Sequence, residues 1–275
     1  MLIMRFLTIL KFPLLLIIAT TMLITSCIDE DNSNCVQYAL NTQLLDKSGN
    51  VLPDSTATDT RAYLFINNKF DHIITAESNG RYLISFDGKA KVSLVAFGDN
   101  NKGLLGIYTP NAGDKISSVY AHLSSKAEGK DSSSTNLFYG RFDYTSASSG
   151  KINNVVLPMH SQQATVHVVA KHLREYYGSS SNYHIVLSGF HNSVTFDGTV
   201  TGDSVTYTPN AAFDSNGNLC SEALYTLPTK IGESVTISIY KDNLLVWQSA
   251  KDYQGNTTTL SAGDNKYIII DVERK

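Results

Sequence analysis

The chain has 275 residues and nearly balanced charge, 22 Lys plus Arg against 25 Asp plus Glu, for a formal net charge of −3. No basic field is present to draw in nucleic acid, and with 42% hydrophobic residues the composition is not that of a disordered chain. Charged residues are only 17% and tyrosine reaches 15. Together with abundant Ser, Thr, Asn and Gly, this suits exposed β-structure, where Thr and Tyr fit a pleated surface and Ser, Asn and Gly fill turns.

The chain opens on a leader. Arg5 and Lys11 precede an apolar run over residues 12–24, shorter than the roughly 20 apolar residues of a comfortable transmembrane span. A positive start, a short apolar core and a small-residue cleavage site read as a secretory signal. The run ends in Leu23-Ile24-Thr25-Ser26-Cys27. An apolar residue, small residues and then Cys form a lipobox, so cleavage is expected between Ser26 and Cys27. The Cys27 thiol then accepts a diacylglycerol, and the freed amine can take a third chain. Two or three chains hold a protein on a membrane where one gives only marginal binding. Asp29-Glu30-Asp31 follow directly and resemble the acid-rich export tag of surface-exposed lipoproteins in Bacteroides-type bacteria. The reading is therefore a signal peptide over 1–26 and an acidic, lipid-anchored tether over 27–35.

Residues 36–45 alternate mildly and predict a first strand, closed by a turn at Asp46-Lys47-Ser48-Gly49-Asn50. Residues 62–66 (Ala-Tyr-Leu-Phe-Ile) are continuously apolar, as in a strand buried on both faces. Residues 81–86 and 91–97 read as a hairpin turning through Asp87-Gly88-Lys89. Ile116, Val119, Tyr120 and Leu123 stand at i, i+3, i+4 and i+7, which predicts a short helix over 115–125 with Asp114 as a candidate N-cap. A polar loop over 124–135 and a strand over 136–142 follow. The small, polar stretch 146–151 is the expected domain boundary.

Beyond it, strands are expected over 163–170, 183–188, 194–196, 199–201, 205–208, 219–227, 234–240, 244–248 and 266–272, with turns at Asp197-Gly198, Asp242-Asn243 and Gly263-Asp264. Many short strands punctuated by turns argue for β-sandwiches, more than one sandwich needs. The expected fold is all-β, with tandem sandwiches over 36–150 and 151–275.

Little points to catalysis. There is no nucleophile elbow, no HExxH and no phosphate-cradling glycine loop. Of seven histidines, His167, His172, His184 and His191 lie near strands but without ligand spacing, and read as surface or strand-edge residues. Trp247 reads as core rather than as a sugar-stacking ring. The loop Asp214-Ser215-Asn216-Gly217-Asn218 begins like a calcium loop but lacks its closing Glu. No metal or cofactor is called for. With Cys27 acylated, Cys35 and Cys220 are left either as a disulfide or as two thiols.

Several segments in sequence carry a resemblance: Cys27-Ile28-Asp29-Glu30-Asp31-Asn32-Ser33-Asn34-Cys35, Ala62-Tyr63-Leu64-Phe65, Leu137-Phe138-Tyr139-Gly140, Leu157-Pro158-Met159, and Tyr267-Ile268-Ile269-Ile270-Asp271-Val272. In this order the chain resembles the fimbrillin-associated anchor lipoproteins of Bacteroides-type fimbriae, departing in its Ser-rich 124–135 region. The resemblance implies two transthyretin-like sandwiches, an outer-membrane lipid anchor, and a place at the fimbrial base that tethers the polymer and limits its length. It also implies stalk subunits as partners, joined by β-strand exchange. Stalk relatives are cut after an Arg near the first strand; Arg61 stands in such a place, where the plainer reading is a strand-edge arginine. Two other roles share these features: a surface lipoprotein that binds glycan for uptake, and a fimbrial stalk or tip subunit.

Overall fold

The computed structural model describes residues 35–57, 59–99, 105–107, 109–123, 137–144, 151–179 and 182–272. Strands dominate. β1 (Cys35–Leu45), β2 (Asp59–Ile66), β3 (Lys69–Ile74), β4 (Tyr82–Asp87), β5 (Val92–Asp99), β8 (Phe138–Asp143) and β9 (Ile152–Ser161) form one sheet in the order β3-β2-β5-β8-β9-β1-β4. β6 (Leu105–Ile107) and β7 (Tyr120–Leu123) belong elsewhere. Alternation explains the first sheet: Tyr82, Ile84 and Phe86 face inward on β4 while Leu83, Ser85 and Asp87 face out. β8 and β9 share only two register pairs, and the outer strands β3 and β4 approach one another, so the sheet curls around a single core. Val36, Tyr38, Leu40, Leu64, Phe86, Leu94, Leu157 and Met159 fill that core.

The second half is a two-sheet sandwich. β10 (Ala164–Lys171) is central to one sheet, antiparallel to β14 (Leu219–Ser221) and β15 (Leu224–Thr226) and parallel to β18 (Asn265–Asp271), with β13 (Ala211–Phe213) at the far edge. β11 (Tyr183–Thr195) centres the other sheet, with β16 (Thr236–Lys241), β17 (Leu244–Ser249) and β12 (Val200–Tyr207). Between them pack Val166, Val168, Ile185, Leu187, Ile237, Ile239, Ile268 and Ile270. The β16–β17 hairpin turns on Asp242-Asn243, both at positive φ (48° and 66°), a two-residue turn whose twist suits the strands it joins. Asn67-Asn68 (52° and 64°) make the same turn between β2 and β3.

One turn sequence, Asp-x-x-Gly-Asn, recurs three times, at residues 46–50, 214–218 and 252–256. In each, the Asp carboxylate accepts from the backbone N–H of the Asn at 2.8–2.9 Å and from its side-chain amide at 2.8–3.2 Å. Gly at φ 80–87° takes the left-handed position. The carboxylates of Asp46 and Asp214 are held below the usual range, first by the side-chain amides of Asn50 and Asn218. The loop that begins like a calcium site is such a turn, its Asp214 carboxylate taken up by Asn216 and Asn218.

Two expectations need correcting. The predicted helix over 115–125 is a single 3₁₀ turn, Ile116–Ser118, followed by strand β7. Val119 and Ala121 are buried and Tyr120 is exposed, so period two wins, because β7 has β11 beside it to pair with. Among the described residues the sole α-helix is α1 (Leu173–Tyr177). The chain also leaves the first sheet for the last time only after Ser161, because β9 lies in register beside β1, ten residues past the polar stretch expected as the boundary.

A third core joins the halves. Phe196, at the end of β11, sits against Tyr63 (ring centroids 4.7 Å apart), Phe97 (4.9 Å) and Phe65 (5.9 Å) on the outer face of the first sheet. Tyr139 donates its hydroxyl hydrogen to the Phe196 carbonyl at 3.1 Å.

Candidate functional site at the first strand and the sheet edges

Ser26, Cys27, Asp29, Glu30 and Asp31 lie outside the described residues. The described residues begin at Cys35, where β1 starts. β1 is an interior strand: Cys35–Leu40 pair antiparallel with β4, and Gln37–Leu45 pair parallel with β9. Val36, Tyr38, Leu40 and Leu44 point into the core, and fully burying an apolar side chain of this size contributes about 1.5–3 kcal/mol. The Tyr38 ring lies stacked near Phe86 at 6.0 Å and meets Phe142 edge-on at 5.2 Å. The first described strand therefore lies in the middle of a sheet.

Arg61 lies within β2, its guanidinium donating to the Asp59 carboxylate at 3.1 Å. That partner raises its pKa, with burial opposing. The residue that follows, Ala62, is fully buried and in register with both Ala96 and Ile74. The Arg61–Ala62 peptide lies inside the sheet, with β5 on one side and β3 on the other.

The sheet edges differ in chemistry. β3 carries Lys69, Asp71 and His72, and charges on an edge discourage pairing with other chains. β18 is partly covered, because Tyr253 donates its backbone N–H to the Ile269 carbonyl. β17 reads Leu244-Leu245-Val246-Trp247-Gln248-Ser249, without a charge, and Leu244 and Leu245 are 72% and 50% exposed. Trp247 is half-buried against the second core, so it is core on one side and edge on the other.

The remaining candidates are scattered. His167 stacks on Tyr267 at 4.3 Å and His184 on Tyr240 at 5.1 Å, both outward cross-strand pairs. His172 contacts Asp271 at 2.7 Å. His191 departs from the surface reading: it is 8% exposed, with Nε2 2.8 Å from Glu233 and Nδ1 3.0 Å from the Gly202 carbonyl. Its neighbours Phe190 and Val194 give no sign of a polar interior, because two bulges in β11 break the alternation there. Cys35 and Cys220 are not joined to each other; one begins β1 and the other lies in β14. Among the described residues no group of three metal-ligating side chains converges, and no helix is long and apolar enough to cross a membrane.

A curled β-sheet continued by a β-sandwich, with an interior first strand, is a fold this chain shares with solved fimbrial and adhesin-like β-sandwich proteins. The fimbrial anchor protein Mfa2 from Porphyromonas gingivalis is similar at TM-score 0.61 and 16% identity, over 78% of this chain and 82% of that one. A putative adhesin from Bacteroides ovatus is similar at TM-score 0.62 and 12% identity, over 86% and 88%. No curated protein matches the sequence. The family model described as fimbrillin-A associated anchor proteins Mfa1 and Mfa2 matches residues 36–273, and the chain belongs to that family. Membership brings association with the cell-surface fimbrium and fimbrial subunits as partners, and the family is structural rather than enzymatic.

Proposed function

We propose that this protein is the lipid-held base of a fimbrium: Cys27 carries the acyl chains in the outer membrane, the acidic segment Asp29-Glu30-Asp31 directs the protein to the outer face, and stalk subunits join by β-strand exchange. The observation that carries the reading is the interior position of β1 in a member of an anchor family. A force drawn along β1 from its N-terminus shears its hydrogen bonds to β4 and β9 together instead of unzipping them one by one. An edge strand in the same place would peel. Strand exchange needs an edge whose N–H and C=O groups are free to pair, and the charge-free β17 meets that need. A base subunit that stays in the membrane also ends the polymer there, which limits its length.

The test compares wild type with Cys27→Ala and with Leu245→Lys in the native cell, following polymer on cells and in the medium. Cys27→Ala is expected to shed polymer, while Leu245→Lys keeps the protein membrane-bound but strips it of stalk subunits. Cell-bound polymer of normal length in the Cys27→Ala strain would overturn the anchor reading. Undiminished capture of stalk subunits by Leu245→Lys would remove β17 as the exchange edge.

A further inference from the structure

A cleft of about 400 Å³ opens where β7 of the first half meets β11 and β12 of the second, lined among others by Tyr120, His122, Asn192, Ser193, Thr201 and Asp203. Its size falls at the small end of ligand clefts, about 300–1,000 Å³. What sets it apart is a polar interior that the fold does not require. His191, Asn192 and Ser193 are 8%, 7% and 3% exposed, three consecutive polar residues inside a strand whose core positions are otherwise apolar.

The strand is bent to present them. β11 bulges between Leu187 and Phe190 and again between His191 and Ser193 relative to β12, and bulges re-aim side chains. Gly202 turns at φ 90°, and any Cβ there would meet the Asn192 Oδ1 at 2.2 Å, so only glycine lets this turn close onto Asn192. His191 holds the turn from behind through the Gly202 carbonyl and Glu233. Asn192 Oδ1 is fixed by the Ser193 hydroxyl at 2.9 Å and the Asp203 backbone N–H at 3.0 Å. Opposite stands Tyr120, 43% exposed, with His122 edge-on to it at 6.1 Å. The His122 Nδ1 is buried without a hydrogen-bond partner, a state that buried polar atoms seldom keep.

We infer that this cleft binds a neutral saccharide. The donor set selects that chemistry by elimination. Among the described residues no Lys or Arg lines the cleft and Asp203 does, which disfavours phosphates and acidic sugars. Amide, carboxylate, imidazole and hydroxyl groups suit a ligand dense in hydroxyls, each of which both donates and accepts. An exposed tyrosine face suits the C–H side of a pyranose. The cleft uses no residue of β1 or β17.

The test is saturation-transfer NMR on the full chain with lactose, maltose and N,N′-diacetylchitobiose as probes and sialyllactose as the acidic control. At least one neutral disaccharide is expected to receive magnetisation while sialyllactose does not. Tyr120→Ala should weaken the response about tenfold, a loss near 1.4 kcal/mol. Asp203→Asn should weaken it too, and it keeps the backbone N–H bond to Asn192, so it tests the site even if Tyr120→Ala disturbs the pairing of β7. No transfer to any neutral probe, or transfer undiminished in Asp203→Asn, would overturn the proposal.

Discussion

Strand β5 of the first half and strand β10 of the second are both interior strands, yet they are built to different rules. Every residue of β5 is buried, while β10 alternates strictly between buried and half-exposed. β5 has two apolar faces because two cores claim it: Leu94 and Ala96 face the curled first sheet, while Val95 and Phe97 face the junction around Phe196. β10 has one core below and solvent above. A continuous apolar run thus marks a strand with a second partner, here supplied by a residue about a hundred positions later in the chain.

Removing that partner should have the largest effect. Phe196→Ala deletes the ring on which Tyr63, Phe65 and Phe97 converge and is expected to cost about 3–5 kcal/mol in denaturant unfolding. A loss below about 1 kcal/mol would mean that the two halves hold their faces closed without it. A matched pair sharpens the contrast: Val95→Thr puts a hydroxyl on the junction face of β5 and should cost about 1–3 kcal/mol. Val169→Thr on the outer face of β10 should stay within about 0.5 kcal/mol. Equal costs would dissolve the distinction between the two strands.

The smallest expected effect lies in the turns, which both halves share. The carboxylates of Asp46 and Asp214 titrate below their ordinary value because Asn50 and Asn218 hydrogen-bond the charged form. A depressed carboxylate contributes stability that is fully present above its unfolded pKa, about 3.9, and is lost as pH falls through its folded value. The gap in Tm between wild type and Asp214→Asn should therefore be present at neutral pH and close below about pH 4. A gap that persists unchanged in acid would show that the turn is held by its backbone alone.

The junction also shifts its own phenols. Burial pushes the hydroxyls of Tyr63 and Tyr139 up to about 12, in each case against a neighbouring arginine, Arg61 or Arg141. Both stay neutral at any pH well below that value, as an apolar seam requires.

Much of this architecture is legible in the sequence because it is local. Period-two alternation marks β4, β10 and β16, paired turn residues such as Asp242-Asn243 close hairpins, and the apolar run at residues 62–66 announces burial on both faces before the covering residue is known. Tertiary structure decided the rest. β9 alternates in the structure, with Leu157 and Met159 buried between exposed Val156, Pro158 and His160, but its apolar residues fall on both faces in the sequence, and its parallel pairing with β1 is what places it in the first sheet. Residues 116–123 fit a helical spacing and fold as a turn and a strand, because β11 supplies backbone partners that an isolated helix of three turns would have to supply for itself. The polar cleft was invisible for a related reason: Tyr120 and His122 stand about seventy residues from Asn192 and Asp203, and only the bulged edge of β11 brings them to one opening. Local pattern marks most of the strands; long-range pairing decides the ambiguous segments and sets which strands become neighbours, and so where a site can form.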